Sequence, residues 1–265
     1  MTNPIESLLG SWRQRRPIRA GSLIISIFGD TVSAHGGSIW LGSLIEAVEP
    51  FGINERLVRT SVYRLVQDDW LSVEKQGRRS YYRFSEYGQR EYRRAARRIY
   101  AASHPFWNGR WTLVIPLELT EGEREDFRKS LMWQGFGQIK PGVFAHPNDD
   151  RRSLDELLAD MALTDKVIVL DAQSPETQTQ QSLHEFVQNL WSLEELEGRY
   201  QKFLQNFQPI LQHAETAEIT PVQAFLVRTL LIHEYRRALL HDPDIPELLL
   251  PADWPGTKAL RLTTN

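Results

Sequence analysis

The stretch GINERLVRTSVYRLVQDDWLSVEKQGRRSYYRFS, residues 52–85, changes from a helical to a strand pattern at Trp70. Asn54 is a residue type that often caps the N-terminus of a helix. Behind it, small or apolar residues recur at helical spacing, and at about 100° per residue they form one stripe. The stripe predicts an amphipathic helix that is buried along one side, and it consists of Leu57, Val58, Ser61, Val62, Leu65 and Val66.

The opposite face of this predicted helix carries polar and positively charged side chains. Guanidinium, hydroxyl and amide groups form hydrogen bonds with phosphates and with the edges of bases. We therefore predict that this face reads the major groove of DNA through Arg56, Arg59, Thr60, Tyr63 and Gln67.

Two short strand-like runs follow Trp70, at residues 71–74 and 81–84. The sequence QGRR at 76–79 joins them, and this pattern predicts a two-stranded hairpin, or wing. Arg78, Arg79 and Ser80 are predicted to contact the DNA backbone. Arginines on an amphipathic helix often belong only to a solvated face. Here they occur on both the helix and the hairpin, which favours DNA binding.

The residues before this stretch complete the order of a winged helix-turn-helix, which we predict for residues 20–104. An apolar helix capped by Ser22, a short strand at 39–41 and a helix at 44–48 precede the recognition helix and the wing. An arginine-rich helix after Ser85 connects this domain to the next. Residues 1–19 have little helical pattern beyond 5–9 and predict a basic arm, either a floppy terminus or a segment lying in a DNA groove.

The remainder of the chain predicts two further domains. Residues 105–175 have the patterns of strand, helix, two strands, helix and strand, at 111–117, 121–134, 136–139, 143–145, 153–162 and 166–170. This βαββαβ order is ferredoxin-like. A polar linker at 173–181 leads into residues 176–265, where helical patterns dominate. The predicted fold class is therefore α+β, with an α-helical C-terminal domain.

Charge is divided unevenly along the chain, which has 265 residues and a net charge of -3. Residues 1–98 contain 16 Lys and Arg against 10 Asp and Glu, whereas the rest contains 15 against 24. A basic N-terminal part and an acidic C-terminal part are typical of a protein that binds a polyanion through one end. The absence of cysteine excludes disulfides, thiol nucleophiles and Cys-ligated zinc. No apolar run is long enough to span a membrane, so we expect a cytoplasmic location.

The familiar motifs for catalysis are missing from the sequence. It contains no nucleophile elbow, no phosphate-binding glycine loop and no HExxH pair. Ferredoxin-like domains also occur in Cas2-like metal-dependent nucleases, which are the main alternative. Such a nuclease needs carboxylates for Mg²⁺ at the end of its first strand, and residues 113–117 contain none. We therefore expect no catalytic residues, no metal site and no cofactor.

Seven short blocks spread along the chain carry a resemblance to one known family. They are WLGSL at 40–44, INERLVRTSVYRL at 53–65, GRRSYYRF at 77–84, RIY at 98–100, GFGQIKPGVF at 135–144, HEYRR at 233–237 and LLPADWPG at 249–256. The sequence is similar to the PaaX-type repressors of phenylacetate catabolism. The resemblance implies a DNA-binding repressor that is released from its operator by an aromatic acyl-CoA, phenylacetyl-CoA. One departure is Asp68-Asp69 before Trp70, where the family more often has Glu-Gly.

The effector implied by this resemblance needs cations for its phosphates and an apolar slot for its acyl group. In the C-terminal part of the chain, the highest density of positively charged residues next to an apolar helical segment is in HEYRR. This block is close in sequence to a Trp-Pro-Gly turn. We predict effector binding by His233, Tyr235, Arg236, Arg237 and Trp254. The alternative is that HEYRR ties the last long helix to the linker or to a partner subunit by buried ion pairs and hydrogen bonds.

Operator recognition also implies a partner subunit. One recognition helix covers only a few base pairs, and selectivity usually requires two half-sites about one helical turn apart. We therefore predict a homodimer on two-fold related, double-stranded operator DNA. The alternative is a protein-interaction module that has this fold but does not bind DNA.

Overall fold

The computed structural model describes residues 3–100, 107–147, 151–175 and 179–264, and the described chain is a mixture of helices and strands, α+β as predicted. It divides into two compact units. The first unit joins Met1–Ala101 to Lys202–Arg237 and Ala259–Asn265, and the second joins Ala102–Gln201 to Ala238–Lys258. Parts of the predicted helical domain, residues 176–265, therefore belong to each unit. The predicted boundaries at 104/105 and 175/176 involve residues outside the described ranges.

The first unit begins with a helix, α1 (Pro4–Arg13). The Asn3 side chain caps it by accepting a hydrogen bond from the Ile5 N–H at 2.9 Å. Proline suits the first turn because its missing N–H would have no helical partner there. The buried side of α1 consists of Ile5, Leu8, Leu9 and Trp12. These residues recur at helical spacing, and the helix extends beyond the pattern predicted at 5–9 to cover residues 4–13 of the predicted basic arm.

Two helices and a strand precede the helix of residues 52–85. α2 (Ala20–Ile27) continues into a π-helical turn (Phe28–Val32), and β1 (Ser38–Trp40) leads directly into α3 (Leu41–Val48). Ser22 lies inside α2, which starts two residues earlier without a side-chain cap. The predicted capping role of Ser22 is therefore wrong, and its hydroxyl is available for a tertiary contact.

The helix predicted from residues 52–85 is α4 (Glu55–Gln67), and Asn54 caps it as expected. The C-terminus of α4 is capped by a hydrogen bond from the Trp70 N–H to the Leu65 carbonyl at 2.8 Å. Asp69, within this closing turn, has a left-handed φ of +56°. Glycine adopts this backbone conformation without strain, whereas other residues do so at a cost. Asp69, which stands where the resemblance leads us to expect glycine, therefore occupies a strained position.

A hairpin follows α4, in which β2 (Leu71–Gln76) and β3 (Arg79–Phe84) are connected by the two residues Gly77 and Arg78. The hairpin joins β1 in one antiparallel sheet of order β1-β3-β2. Gly77 has φ of +62°, the backbone that tight hairpin turns require. The strands therefore extend two residues further into the turn than predicted at each side, and α5 (Glu86–Ile99) begins after them.

α2 lies at the centre of the core of the first unit. Leu23 and Ile24 of α2 are fully buried, as is Phe28 in the π-helical turn that continues it. α2 packs against α4, whose inward residues Val58 and Val62 are also buried. A change in the position of α2 would therefore alter its packing against α4.

The second unit contains the strands and helices predicted for the middle of the chain. They are β4 (Arg110–Pro116), α6 (Glu121–Trp133), β5 (Gly137–Lys140), β6 (Val143–His146), α7 (Arg151–Asp160) and β7 (Val167–Gln173). The strands form one antiparallel sheet in the order β5-β6-β4-β7. One core cluster joins Val114 and Phe144 of the sheet to Phe127 of α6 and Leu154 of α7. Thr120 and its partner Glu123 form the predicted capping box.

Four helices complete the described chain: α8 (Gln180–Trp191), α9 (Leu193–Thr216), α10 (Pro221–Leu239) and α11 (Pro255–Thr264). Within the first unit, Phe225 of α10 contacts Phe51 with ring centroids 6.4 Å apart, and Tyr235 contacts Phe203 at 5.6 Å. Arg228 is exposed, so α10 is buried along most of its length but not on every side.

Candidate nucleic-acid interface

The outer face of α4 carries all five side chains predicted to read the major groove. Val58, Ser61, Val62 and Leu65 are buried on the opposite side, which leaves the predicted reading face in solvent. Tyr63 is 66% exposed, a high exposure for a residue type of intermediate burial. The structure thus brings onto one exposed face Arg56, Arg59, Thr60, Tyr63 and Gln67.

Two side chains on this face are held by local contacts. The Arg59 guanidinium donates from Nε and Nη2 to Glu55 Oε1 at 2.8 and 2.7 Å, and Thr60 Oγ1 donates to the Arg56 carbonyl at 2.9 Å. Both Arg59 and Glu55 are more than half exposed, and such an ion pair contributes only about 0.5 kcal/mol. The pair can therefore open when a stronger anion approaches. Among the described residues, no carboxylate forms an ion pair with Arg56.

The predicted wing residues differ in solvent exposure and in side-chain contacts. Arg78 is exposed in the two-residue turn of the hairpin, and Ser80 is half-buried in β3. Arg79 is exposed, but its Cζ lies 4.8 Å from the centre of the Trp40 ring in a cation–π contact. Arg78 and Arg79 therefore present two cations at the end of the hairpin, one in solvent and one resting on an aromatic ring.

Three residues of this surface were not among the sequence predictions. Arg64 is exposed on α4, one helical turn after Thr60, and Lys75 is exposed on β2 opposite Ser80. Helical spacing from Thr60 could have identified Arg64. Trp40 could not have been identified in this way, because its contact with the wing depends on how β1 pairs with β3.

The predicted effector residue His233 is buried, with 1% of its surface exposed. Its Nδ1 lies 3.1 Å from the hydroxyl of Ser26 on α2, and its ring meets the Trp12 ring edge-on at 5.3 Å. Burial, together with the charges of Arg236, Arg237 and Arg15, lowers the pKa of His233 to about 3. The imidazole is therefore neutral, and it forms no ion pair with Glu234 at 3.9 Å.

The neighbouring charges of HEYRR contact α2 and the segment that joins α1 to α2. Glu234 accepts from Arg15 at 2.7 Å and from the exposed Arg237 at 3.3 Å. Arg236 is buried and donates to the Ser22 hydroxyl at 2.9 Å and to the Ser22 carbonyl at 3.2 Å. Its Nε has no hydrogen-bond partner among the described residues, and burial lowers the pKa of this guanidinium. The Nε1 of buried Trp12 is likewise without a partner in the described chain.

The other two predicted effector residues are also buried. Tyr235 lies beside Phe203 in the first unit. Trp254 belongs to the second unit, where its ring lies 6.2 Å from that of Tyr200. Tyr200 in turn donates a short hydrogen bond to Asp242. The structure therefore groups His233, Tyr235 and Arg236 in one unit and places Trp254 in the other.

Within the described ranges, no group of three or more His, Asp or Glu side chains is placed to hold a metal ion. Among the described helices, none is long and apolar enough to cross a membrane.

Comparison with known proteins gives matches along nearly the whole chain. Three family models match in succession, described as PaaX-like protein (residues 19–88), PaaX protein central Cas2-like domain (residues 104–184) and PaaX-like protein C-terminal domain (residues 191–265). The chain is 41% identical over 251 residues to the transcriptional repressor PaaX of Escherichia coli strain K12, which covers 94% of this chain and 79% of the relative. It is also similar to a solved structure of an uncharacterized protein from Mycobacterium tuberculosis, with a TM-score of 0.60 and 25% identity over 92% of this chain and 91% of that one.

The matches extend over nearly the whole chain, as expected from the seven sequence blocks that lie between residues 40 and 256. The relative aligns with nearly the whole chain and not only with a helix-turn-helix segment. The three family models follow one another along the sequence without a change of order. The chain therefore belongs to the PaaX family.

Proposed function

We propose that this chain is a DNA-binding transcriptional repressor of phenylacetate catabolism genes and not an enzyme. The observation that carries the proposal is the exposed face of α4, where five side chains able to bind bases and phosphates lie together. The similarity to a relative named as a transcriptional repressor supports it. The nuclease alternative receives no such support, because β4 contains no acidic residue.

The proposal includes two fold assignments. Residues 20–100 form a winged helix-turn-helix, in which α4 is the recognition helix and the β2–β3 hairpin is the wing. Residues 110–173 form a ferredoxin-like domain. Its support is the sheet order β5-β6-β4-β7, in which the first and third strands of the βαββαβ unit lie at the centre.

On DNA, α4 enters the major groove and the wing lies against the backbone. Arg56 and Arg59 have the geometry to bind guanine through paired hydrogen bonds, and Thr60, Tyr63 and Gln67 contact bases or phosphates beside them. Arg78, Arg79 and Ser80 contact phosphates and fix the orientation of the helix. Because a single α4 reads only a few base pairs, the repressor acts as a homodimer on a two-fold related operator.

The effector in this proposal is an aromatic acyl-CoA such as phenylacetyl-CoA, bound through HEYRR. The support is Arg236, a buried guanidinium that has no carboxylate partner among the described residues and an unpaired Nε. A buried cation without a counter-ion is destabilising, and a phosphate or carboxylate would compensate for it. The competing interpretation, a purely structural tie, has support from the contacts of Arg236 with Ser22 and of His233 with Ser26.

The same contacts offer a route from effector to DNA. Arg236 and His233 hold α2 through Ser22 and Ser26, and α2 packs against α4. A ligand that withdraws Arg236 from Ser22 would loosen α2 and bias the position of α4. The fall in operator affinity cannot exceed the difference in the ligand's affinity for the two arrangements.

The DNA-binding proposal is tested with duplexes selected from a random pool by repeated binding to the purified protein. Replacing Arg59 by Ala should weaken binding of the selected duplex by about 5- to 150-fold, equivalent to 1–3 kcal/mol, if the guanidinium reads a guanine. Replacing the exposed Lys140 of the second unit by Ala is the matched control, for which we expect no change. Failure to select any duplex, or unchanged affinity of Arg59→Ala, would refute the assignment.

The effector proposal is tested by labelling the selected duplex with a fluorophore and following its release from the protein as each candidate effector is added. Phenylacetyl-CoA should release the DNA, while free CoA and free phenylacetate should release it weakly or not at all. Release that persists in a variant with both Arg236→Ala and Arg237→Ala would move the effector site elsewhere. The homodimer is tested by light scattering, where a monomer both free and on DNA would exclude it.

A further inference from the structure

The outer face of the three-stranded sheet ends in a stack of an arginine on a tryptophan. β3 pairs with β1 so that Tyr81 lies opposite Trp40, and Arg79 and Arg83 lie on the same side of the sheet as Tyr81. The Arg79 guanidinium carbon lies 4.8 Å from the centre of the Trp40 ring. The contact therefore joins the free end of the wing to the strand that leads into α3.

The Trp40 ring is also in contact with the start of α3. It lies against Gly42 in the first turn of α3, where a Cβ atom would be only 2.4 Å from the ring. Any larger residue at position 42 would push the ring away. The glycine thus allows the ring to rest on the helix backbone, and the ring becomes a fixed platform for Arg79.

The charge of Arg79 remains available for a ligand. Arg83, on the same face, is paired with Glu74, whereas no described carboxylate forms an ion pair with Arg79. A guanidinium that stacks on an aromatic ring uses its flat face, and its N–H donors point outward in the plane. These donors match the oxygens of a phosphate.

We infer that Trp40 is a positioning residue for DNA binding, which holds the Arg79 guanidinium in the orientation that contacts a backbone phosphate. This inference rests on the proposed DNA-binding function. Stacking restricts the rotamers of a long side chain before the DNA arrives, so less conformational freedom is lost on binding. Trp40 itself touches no DNA and acts only through Arg79.

The test is a double-mutant cycle on the selected duplex, with affinities measured over a range of salt concentrations. Arg79→Ala should weaken binding about 3- to 10-fold and reduce the steepness of the salt dependence by about one released counterion. Trp40→Leu should weaken binding by a similar factor alone, and should have no further effect when Arg79 is already alanine. Trp40→Phe keeps an aromatic platform and should retain most of the affinity, as should the control Lys140→Ala.

The cycle separates positioning from a general loss of structure. If Trp40 were only part of the fold, Trp40→Leu would weaken binding equally with and without Arg79, and this additivity would overturn the inference. Should Trp40→Leu not fold, Trp40→Phe and Arg79→Lys replace it, because lysine keeps the charge but not the flat stack. Equal affinity and equal salt dependence of Arg79→Lys and wild type would also refute it. Absence of DNA binding by the wild-type protein would instead refute the proposed function.

Discussion

The buried imidazole of His233 predicts that the first unit loses stability in mild acid. The ordinary pKa of histidine is 6.5, and in the folded chain burial and the nearby arginines lower it to about 3. Between these values the unfolded chain binds a proton that the folded chain does not, so stability is full above pH 6.5 and falls as the pH is lowered toward 3. At pH 5 the loss from this residue is about 2 kcal/mol relative to pH 8.

Urea unfolding followed by circular dichroism at pH 8 and pH 5 measures this loss, with His233→Gln as the comparison. The other histidines and the carboxylates titrate in both proteins, so the difference between their two pH-dependent losses isolates His233. We expect the wild type to lose about 2 kcal/mol more than the variant. Equal losses would show that His233 takes up a proton at pH 5 as readily in the folded chain as in the unfolded chain, which would contradict its lowered pKa.

Three further predictions concern the turn after α4, the π-helical turn and the reading face. Asp69→Gly should raise the free energy of unfolding by about 0.5–1 kcal/mol, since glycine suits φ of +56°, and a lower urea midpoint would contradict this. Asp30→Ala should lower it by about 1–3 kcal/mol, because the buried carboxylate accepts two hydrogen bonds from Arg228 at 2.8 Å, and an unchanged midpoint would argue against it. Glu55→Gln frees Arg59 and should tighten DNA binding about two-fold in an anisotropy titration, whereas weaker binding would count against the proposed interface.

Sequence patterns were sufficient where a local rule determines the structure. Asn54 and the apolar stripe define α4, and the reading face follows from helical spacing alone. The capping box at Thr120 is a similarly local signal. Local rules failed at Ser22, a good capping residue that lies inside α2 and accepts a hydrogen bond from Arg236, far away in the sequence. The start of α2 is therefore decided by tertiary packing.

The surroundings of the predicted effector residues could not be read from the sequence for the same reason. HEYRR was identified as a block of cations, but the burial of His233 and the contact of Arg15 with Glu234 depend on α1 and α2 packing against α10. The full extent of α1 was also not predicted, since the helical pattern recognised at 5–9 stops before the buried Trp12. Long-range contacts of this kind have no signature in spacing.

The position of Tyr63 on DNA is the most direct test of the proposed mechanism. The chain contains no cysteine, so Tyr63→Cys provides a single attachment point for an iron chelate that cleaves nearby DNA. Val222, which is 63% exposed on α10, supplies the control position through Val222→Cys. If α4 is the recognition helix, cleavage from position 63 should be confined to the major groove of each half-site in the selected operator, and position 222 should give none. Cleavage from position 222 with none from position 63 would contradict the assignment of α4 as the reading helix.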